Sequence, residues 1–186
     1  MKRMAVLFVL AGAVALMMVT GVAFAETFKC HRGGRGGETC VGTDGPDRLF
    51  GSNVHNRMYG MGDDDMLQGR EGPDFLSGDG GGQSTSPTDG DDRLYGNIGR
   101  DDLYGKGGSD LLKGGADSDY IDAAEFPRNS SLGTEDTVIG DGGDDQIVAL
   151  DFNFDAVDCG PGLDRVTYDA GLDEISANCE FRSTED

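Results

Sequence analysis

The chain has 186 residues, a formal net charge of −20 and 32 glycines, and it contains no tryptophan. So acidic a chain is a poor partner for nucleic acid or an anionic membrane surface, and its natural complement is a cation. Disordered chains can share this composition, but here the residues recur with a fixed period. The sequence therefore indicates a repeat architecture.

The first 25 residues have the composition of an export signal. A basic start, Lys2-Arg3, precedes an apolar run over residues 4–24, and Ala23-Phe24-Ala25 gives an Ala-x-Ala cleavage site. This pattern predicts a signal peptide over residues 1–25 and a secreted, extracellular protein. The alternative is an uncleaved membrane anchor, because the apolar run is long enough to span a bilayer.

Four cysteines lie in two sequence-local pairs, one near each end of the exported chain. An even number of cysteines in an exported chain favours disulfides, and three connectivities are possible. We expect the local pairing, Cys30–Cys40 and Cys159–Cys179. A zinc site is the alternative, but no CxxC spacing occurs and only His31 lies nearby. The pairs predict an N-terminal disulfide cap over residues 26–41 and a C-terminal cap and tail over residues 177–186.

Residues 42–176 follow a nine-residue frame with glycines at the start, Asp at the sixth place and an aliphatic residue at the eighth. Regular units are GREGPDFLS (69–77), GNIGRDDLY (96–104), GKGGSDLLK (105–113) and GDGGDDQIV (140–148). Two segments near 81–89 and 123–132 break the frame, and their Ser, Thr and Pro content is typical of loops. If residues 81–89 loop out, Asp65 and Asp92 belong to neighbouring turns. If the frame continues instead, Thr85 takes an aliphatic place.

Each unit predicts a sharp turn followed by a minimal strand. Glycines permit positive φ in the first half, and the last three residues place one aliphatic side chain inward. One unit cannot bury its aliphatic residue alone, so the units must stack. No 3.6-residue apolar period occurs after residue 25, and the glycine density opposes helix. The fold class is therefore all-β, a solenoid of short parallel strands.

Stacking creates an electrostatic problem that a cation can solve. Parallel strands lie ~4.8 Å apart, so aspartates of turns on the same side come close and repel one another. A divalent cation between the turns would convert this repulsion into attraction. Carboxylates and turn carbonyls are hard oxygen ligands that suit Ca²⁺, whereas Mg²⁺ dehydrates reluctantly.

The repeated unit resembles the G-G-x-G-x-D-x-aliphatic-x nonapeptide of the repeats-in-toxin, or haemolysin-type, calcium-binding family. The resemblance implies a right-handed parallel β-roll in which two units make one coil and several Ca²⁺ ions lie between turns on the same side. It also implies that the sixth-place aspartates bind the metal. The matching residues are Asp47, Asp65, Asp74, Asp92, Asp101, Asp110, Asp119, Asp145 and Asp164.

Less regular units give weaker candidates. Asn56 replaces Asp in the second unit and Asp63 replaces a glycine in the third, which favours weak calcium binding there or none. Asp136, Asp155 and Asp173 fall at the sixth place of irregular units.

The chain departs from the toxins of this family through its N-terminal signal, its cysteines and the lack of a large partner domain. It carries no HExxH or G-x-S-x-G motif, so we predict no enzyme activity. The expected function is that of a secreted, monomeric calcium-binding repeat protein whose folding is driven by calcium. The alternative is a calcium-stabilised adhesion or matrix module, in which loops or exposed Tyr59, Tyr95 and Tyr104 touch a cell-surface or matrix component.

Overall fold

The computed structural model of the protein describes residues 26–30, 37–80, 89–124 and 134–184. These residues form sixteen short strands, and no helix occurs among them. In the same residues, therefore, no helix could cross a membrane. The predicted signal at residues 1–25 lies outside the described residues.

The strands form two eight-stranded parallel sheets, and successive strands alternate between the sheets. The first sheet contains β1 (Glu26–Lys29), β3 (Asp47–Phe50), β5 (Met66–Glu71), β7 (Arg93–Ile98), β9 (Leu111–Ala116), β11 (Thr137–Gly142), β13 (Ala156–Asp158) and β15 (Glu174–Ile175). The second sheet contains β2 (Glu38–Val41), β4 (Asn56–Met61), β6 (Phe75–Asp79), β8 (Asp102–Tyr104), β10 (Tyr120–Asp122), β12 (Gln146–Ala149), β14 (Arg165–Tyr168) and β16 (Phe181–Ser183). This is the predicted parallel β-roll of stacked units.

The strand register shows how the frame crosses the first irregular segment. Leu67 pairs with Leu94 in the first sheet, and Leu76 pairs with Leu103 in the second. These partners are the ones expected if residues 81–89 stand outside the nine-residue frame. Thr85 itself lies outside the described residues.

The core is a narrow aliphatic stack with one inward side chain from each unit. Leu49, Leu67 and Leu94 are fully buried in the first sheet, and Met58, Leu76 and Leu103 are fully buried in the second. Residues directly before and after each inward position are more exposed. Hydrophobic burial is therefore concentrated in a strip one residue wide on each sheet, and Ala123, Ala124, Ala149 and Leu150 are buried beside it.

The outer face of the second sheet carries a run of aromatic rings. Tyr59, Phe75, Tyr104 and Tyr120 follow one another with ring centroids 5.5, 5.2 and 5.7 Å apart. Aromatic neighbours on adjacent strands add roughly 0.2–1 kcal/mol per pair. The run therefore reinforces a sheet whose core side chains are few.

Both ends of the roll are fixed covalently. Cys30 is bonded to Cys40 and Cys159 to Cys179, which confirms the predicted pairing. At the C-terminal end Arg182 takes the inward register position beside Val166. Its guanidinium donates hydrogen bonds to the carbonyl oxygens of Ser176 and Cys179 at 2.7 and 3.1 Å. The last coil is thus closed by polar contacts where aliphatic packing ends.

The predicted caps also contribute regular strands. β1 and β2, in residues 26–41, pair in register with the first repeats, and β16 pairs with β14 in the second sheet. The roll therefore extends into both end segments.

Several turns force residues other than glycine into positive φ. At the second place of the nine-residue unit, φ is 103° for Met61, 88° for Arg70 and 86° for Lys106. An L-residue in this region costs roughly 1–2 kcal/mol, which glycine avoids. These positions therefore carry backbone strain. The family pattern avoids that strain because it has Gly at the second place.

We expect Met61→Gly to stabilise the folded, calcium-saturated protein. Relief of strain should outweigh the extra freedom of the unfolded chain, which gives a gain of about 1 kcal/mol in the free energy of unfolding. Met66→Gly is the control, because Met66 begins β5 and is absent from the positive-φ positions. Calorimetric melting should show a higher Tm for Met61→Gly and a lower one for Met66→Gly. A lower Tm for both would contradict the strain argument.

Candidate metal centre

The sixth-place residues form two vertical rows, one along the entrance to each sheet. Each residue ends the turn that precedes a strand, so stacking of the strands stacks these side chains as well. The row of the first sheet contains Asp47, Asp65, Asp92, Asp110, Asp136, Asp155 and Asp173. The row of the second sheet contains Asn56, Asp74, Asp101, Asp119, Asp145 and Asp164.

Within each row, every residue is tied to the next by the same hydrogen bond. The backbone N–H of Asp65 donates to Oδ1 of Asp92 at 2.8 Å, and the N–H of Asp101 donates to Oδ1 of Asp119 at 2.8 Å. The bond recurs along both rows with donor–acceptor distances between 2.7 and 3.1 Å. In every row aspartate except Asp47, which begins the first row, one carboxylate oxygen is therefore used to hold the preceding turn.

The second carboxylate oxygen is buried without a hydrogen-bond partner. This holds for Oδ2 of Asp65, Asp74, Asp92, Asp101, Asp119, Asp145 and Asp164. A buried, unsatisfied carboxylate oxygen is costly, and a row of them is rare in a stable protein. Such oxygens suit a hard cation, because calcium takes six to eight oxygen ligands.

A glycine brings further oxygen atoms to the same place. A Cβ at Gly60 would overlap Oδ2 of Asp65, in the same turn, and the carbonyl oxygen of Gly78, in the next turn. Gly96 stands in the same relation to Asp101 and Gly114. Only glycine lets a carboxylate and a backbone carbonyl of successive turns meet in this way. The spacing of Gly and Asp thus brings carboxylate and carbonyl oxygens together, and calcium binds both kinds of oxygen.

Burial and mutual repulsion both raise the pKa values of aspartates in the rows. Burial raises the pKa of Asp65 to about 8 and that of Asp119 to about 8, and nearby carboxylates add to both effects. Burial likewise raises the pKa of Asp92 to about 9, with repulsion from Asp79 and Asp65 contributing. Without a bound cation, the fold therefore favours protonated carboxyl groups at these three positions at neutral pH.

The rows supply only carboxylates spaced one turn apart. Within the described parts of the chain, no three His, Cys, Asp or Glu side chains converge to form a metal site by themselves. A cation here would need backbone carbonyls from two turns in addition to the aspartates. The glycine contacts provide that geometry.

The structure places every sequence-predicted aspartate in one of the two rows. It also places Asp136, Asp155 and Asp173 in the first row. The Oδ1 atom of each accepts the same backbone N–H hydrogen bond as in the regular units. Asn56 keeps the backbone bond to Asp74 but lacks a carboxylate.

Glu180 was not predicted for the rows. Its Oε2 accepts the N–H of Asp164 at 3.0 Å and closes the second row. Its position after the nonapeptide frame left no signal in the sequence.

Comparison with known proteins agrees with this geometry. The family model of the RTX calcium-binding nonapeptide repeat describes four consecutive copies of the repeat. It matches residues 32–67, 59–82, 88–112, 95–125 and 133–153. Together these ranges cover more than half of the chain. The chain belongs to the RTX calcium-binding nonapeptide repeat family. No curated protein matches it significantly.

Membership in this RTX family identifies the cation. The repeat binds Ca²⁺, and the stacked buried aspartates are the ligands that calcium prefers. The protein is a calcium-binding repeat protein with a parallel β-roll fold.

We expect the pH dependence of stability to reverse when calcium is added. In calcium-free buffer the raised pKa values mean that the folded state binds more protons than the unfolded chain. Stability should therefore be highest below about pH 4, the usual pKa of an aspartate, and fall as pH rises from there towards 9. In saturating calcium the ionised carboxylates are required, so stability should instead fall as pH drops from 8 to 5.

Far-UV circular dichroism at several pH values, with and without calcium, measures the folded fraction and so tests this dependence. Parallel pH profiles in the two buffers would contradict the role given to the buried carboxylates.

Proposed function

We propose that the protein is an exported β-roll whose folding is driven by calcium held between stacked turns. The single observation that supports this most strongly is the pair of carboxylate rows. Buried oxygens lie in them without hydrogen-bond partners, at the spacing of the strands. A bound cation would satisfy these oxygens and neutralise their repulsion.

The proposed ligands follow the two rows. In the first row they are Asp47, Asp65, Asp92 and Asp110, and Asp136, Asp155 and Asp173 extend it. In the second row they are Asp74, Asp101, Asp119, Asp145 and Asp164. Each ion would lie between successive turns of one row and use carbonyl oxygens of the glycine-rich turns as well. The Asn56 turn would bind most weakly, because an amide brings no charge.

The thin core explains why calcium should control folding. Each unit buries one aliphatic side chain but must order nine residues of backbone, so hydrophobic burial offsets only part of the lost conformational entropy. Each site that binds only the folded state adds roughly 2.7 kcal/mol at a hundredfold excess of ligand over its Kd. Several sites together can move the balance from an expanded chain to the roll.

Export of the protein is consistent with calcium-dependent folding. Extracellular calcium modules bind at about 10⁻⁴–10⁻³ M, so the chain would stay unfolded where calcium is scarce and fold outside the cell. The two disulfides indicate an oxidising compartment and agree with an exported protein. Cleavage of residues 1–25 is part of the proposal.

Far-UV circular dichroism of the disulfide-intact protein tests calcium-driven folding. In EDTA we expect the spectrum of an expanded chain, and millimolar CaCl₂ should produce the strand spectrum. MgCl₂ at the same concentration is the control and should not. An unchanged strand spectrum in EDTA would show that the roll folds without calcium.

Replacing Asp101 and Asp110 by Ala should raise the calcium concentration at the folding midpoint several-fold. Each change removes a ligand oxygen from the most regular part of the array, where Asp101 is fully buried. The matched control replaces Asp102 and Asp91 by Ala. It removes the same charge from neighbouring exposed positions.

The control should leave the midpoint near that of the wild type, or lower it slightly by reducing repulsion. Equal shifts in both double variants would mean that total charge, rather than the rows, sets calcium affinity.

The matched repeat is a structural calcium-binding unit, and the lack of enzyme activity stays a prediction. A monomeric state and a cell-surface or matrix partner also stay predictions.

A further inference from the structure

A groove on the outer face of the second sheet borders the second calcium row, because Asp119 and Asp145 of that row are part of its lining. It encloses about 690 Å³ and is lined by Tyr104, Tyr120, Gln146, Arg165 and Phe181 together with polar residues of neighbouring turns. A second hollow of about 520 Å³ continues it past Arg165 and Phe181. Small-molecule sites commonly have volumes of about 300–1,000 Å³.

The groove has a regular origin in the strand register. Tyr120, Gln146, Arg165 and Phe181 occupy the same outward position on four successive strands, β10, β12, β14 and β16. With strands ~4.8 Å apart, the two aromatic residues stand about 14 Å from each other. The run of rings from Tyr59 ends at Tyr120, and the groove fills the interval before Phe181.

The walls and floor of the groove differ in chemistry. Tyr120 and Phe181 form apolar walls, and Phe181 is 53% exposed. The floor offers the amide of Gln146 and the guanidinium of Arg165, which lies 5.7 Å from the centroid of the Phe181 ring. Asp102 also lines the groove and supplies carboxylate acceptors.

We propose that this groove binds a short stretch of a neutral polysaccharide laid across the strands. Aromatic walls pack against the C–H faces of sugar rings, and the amide, guanidinium and carboxylate groups match hydroxyls, which both donate and accept hydrogen bonds. The length of the groove suits two to three sugar rings. The proposal goes beyond calcium binding but rests on it, because Asp119 and Asp145 of the second row line the groove.

Charge and direction argue against other occupants. The net charge of −20 repels polyanions, and the carboxylate of Asp102 lies in the groove itself. A peptide that extended a sheet would run along the edge strand β16, whereas the groove crosses the strands and offers no backbone ladder. Once calcium neutralises Asp119 and Asp145, the lining balances Arg100 and Arg165 against Asp102 and Asp144, so a strongly cationic ligand gains no net attraction there.

Affinity electrophoresis in calcium-containing native gels tests the proposal. The gels contain hydroxyethyl cellulose, xylan, galactomannan or starch as neutral probes, with alginate as the anionic probe and polylysine as the cationic one. We expect at least one neutral polysaccharide to retard the wild-type protein, and neither charged polymer to do so more strongly.

Two variants locate the binding. Tyr120→Ala should weaken retardation at least tenfold, whereas Tyr95→Ala, on the outer face of the first sheet, should not. Gln146→Trp fills the groove at an exposed position and should abolish retardation while leaving the circular dichroism spectrum and calcium midpoint unchanged. Gln68→Trp, on the first sheet, is its control.

The proposal is wrong if no neutral polysaccharide retards the wild type, if a charged polymer is preferred, or if Gln146→Trp binds as well as Gln68→Trp. None of these results would alter the calcium-dependent spectrum, so failure here is distinguishable from failure of calcium-driven folding.

Discussion

The fold depends on the stacking of carboxylates in register. Because each turn ends in an aspartate whose Oδ1 holds the backbone of the preceding turn, the hydrogen bonds that align the coils also align negative charges. Moving the carboxylates apart would break these hydrogen bonds, and the strand register would be lost with them. A cation between the turns is the simplest way to keep both the bonds and the charges. We therefore propose that calcium is part of the architecture, because it would let the turns stack without uncompensated carboxylate charge.

The rest of the molecule follows from how little the core provides. One aliphatic residue per unit makes a strip that leaves most side chains at the surface, so stability has to come from other sources. The disulfides fix the first and last coils of the roll that the structure describes. Arg182 closes the C-terminal end with hydrogen bonds. The aromatic run on the second sheet adds cross-strand contacts on the outer face.

Much of this architecture could be predicted from the sequence because the period of nine is so regular. Leu103 and Asp101, for example, occupy the positions that the unit GNIGRDDLY predicts, one in the core and one in a row. The prediction weakened where spacing changed. Asp155 lies nineteen residues beyond its neighbour Asp136 instead of eighteen, yet the turn absorbs the extra residue and keeps the hydrogen bond. Glu180 and the groove beside Phe181 depend on three-dimensional proximity across strands, which no local pattern encodes.

Anomalous diffraction from crystals grown in calcium would test the central claim most directly. The account predicts calcium peaks in two rows, each peak lying between successive same-side turns and within 2.3–2.6 Å of aspartate and carbonyl oxygens. The strongest peaks should lie beside Asp101, Asp110 and Asp119, and the weakest beside Asn56. Peaks confined to exposed acids such as Asp91 and Asp102, with none along the two rows, would contradict the account.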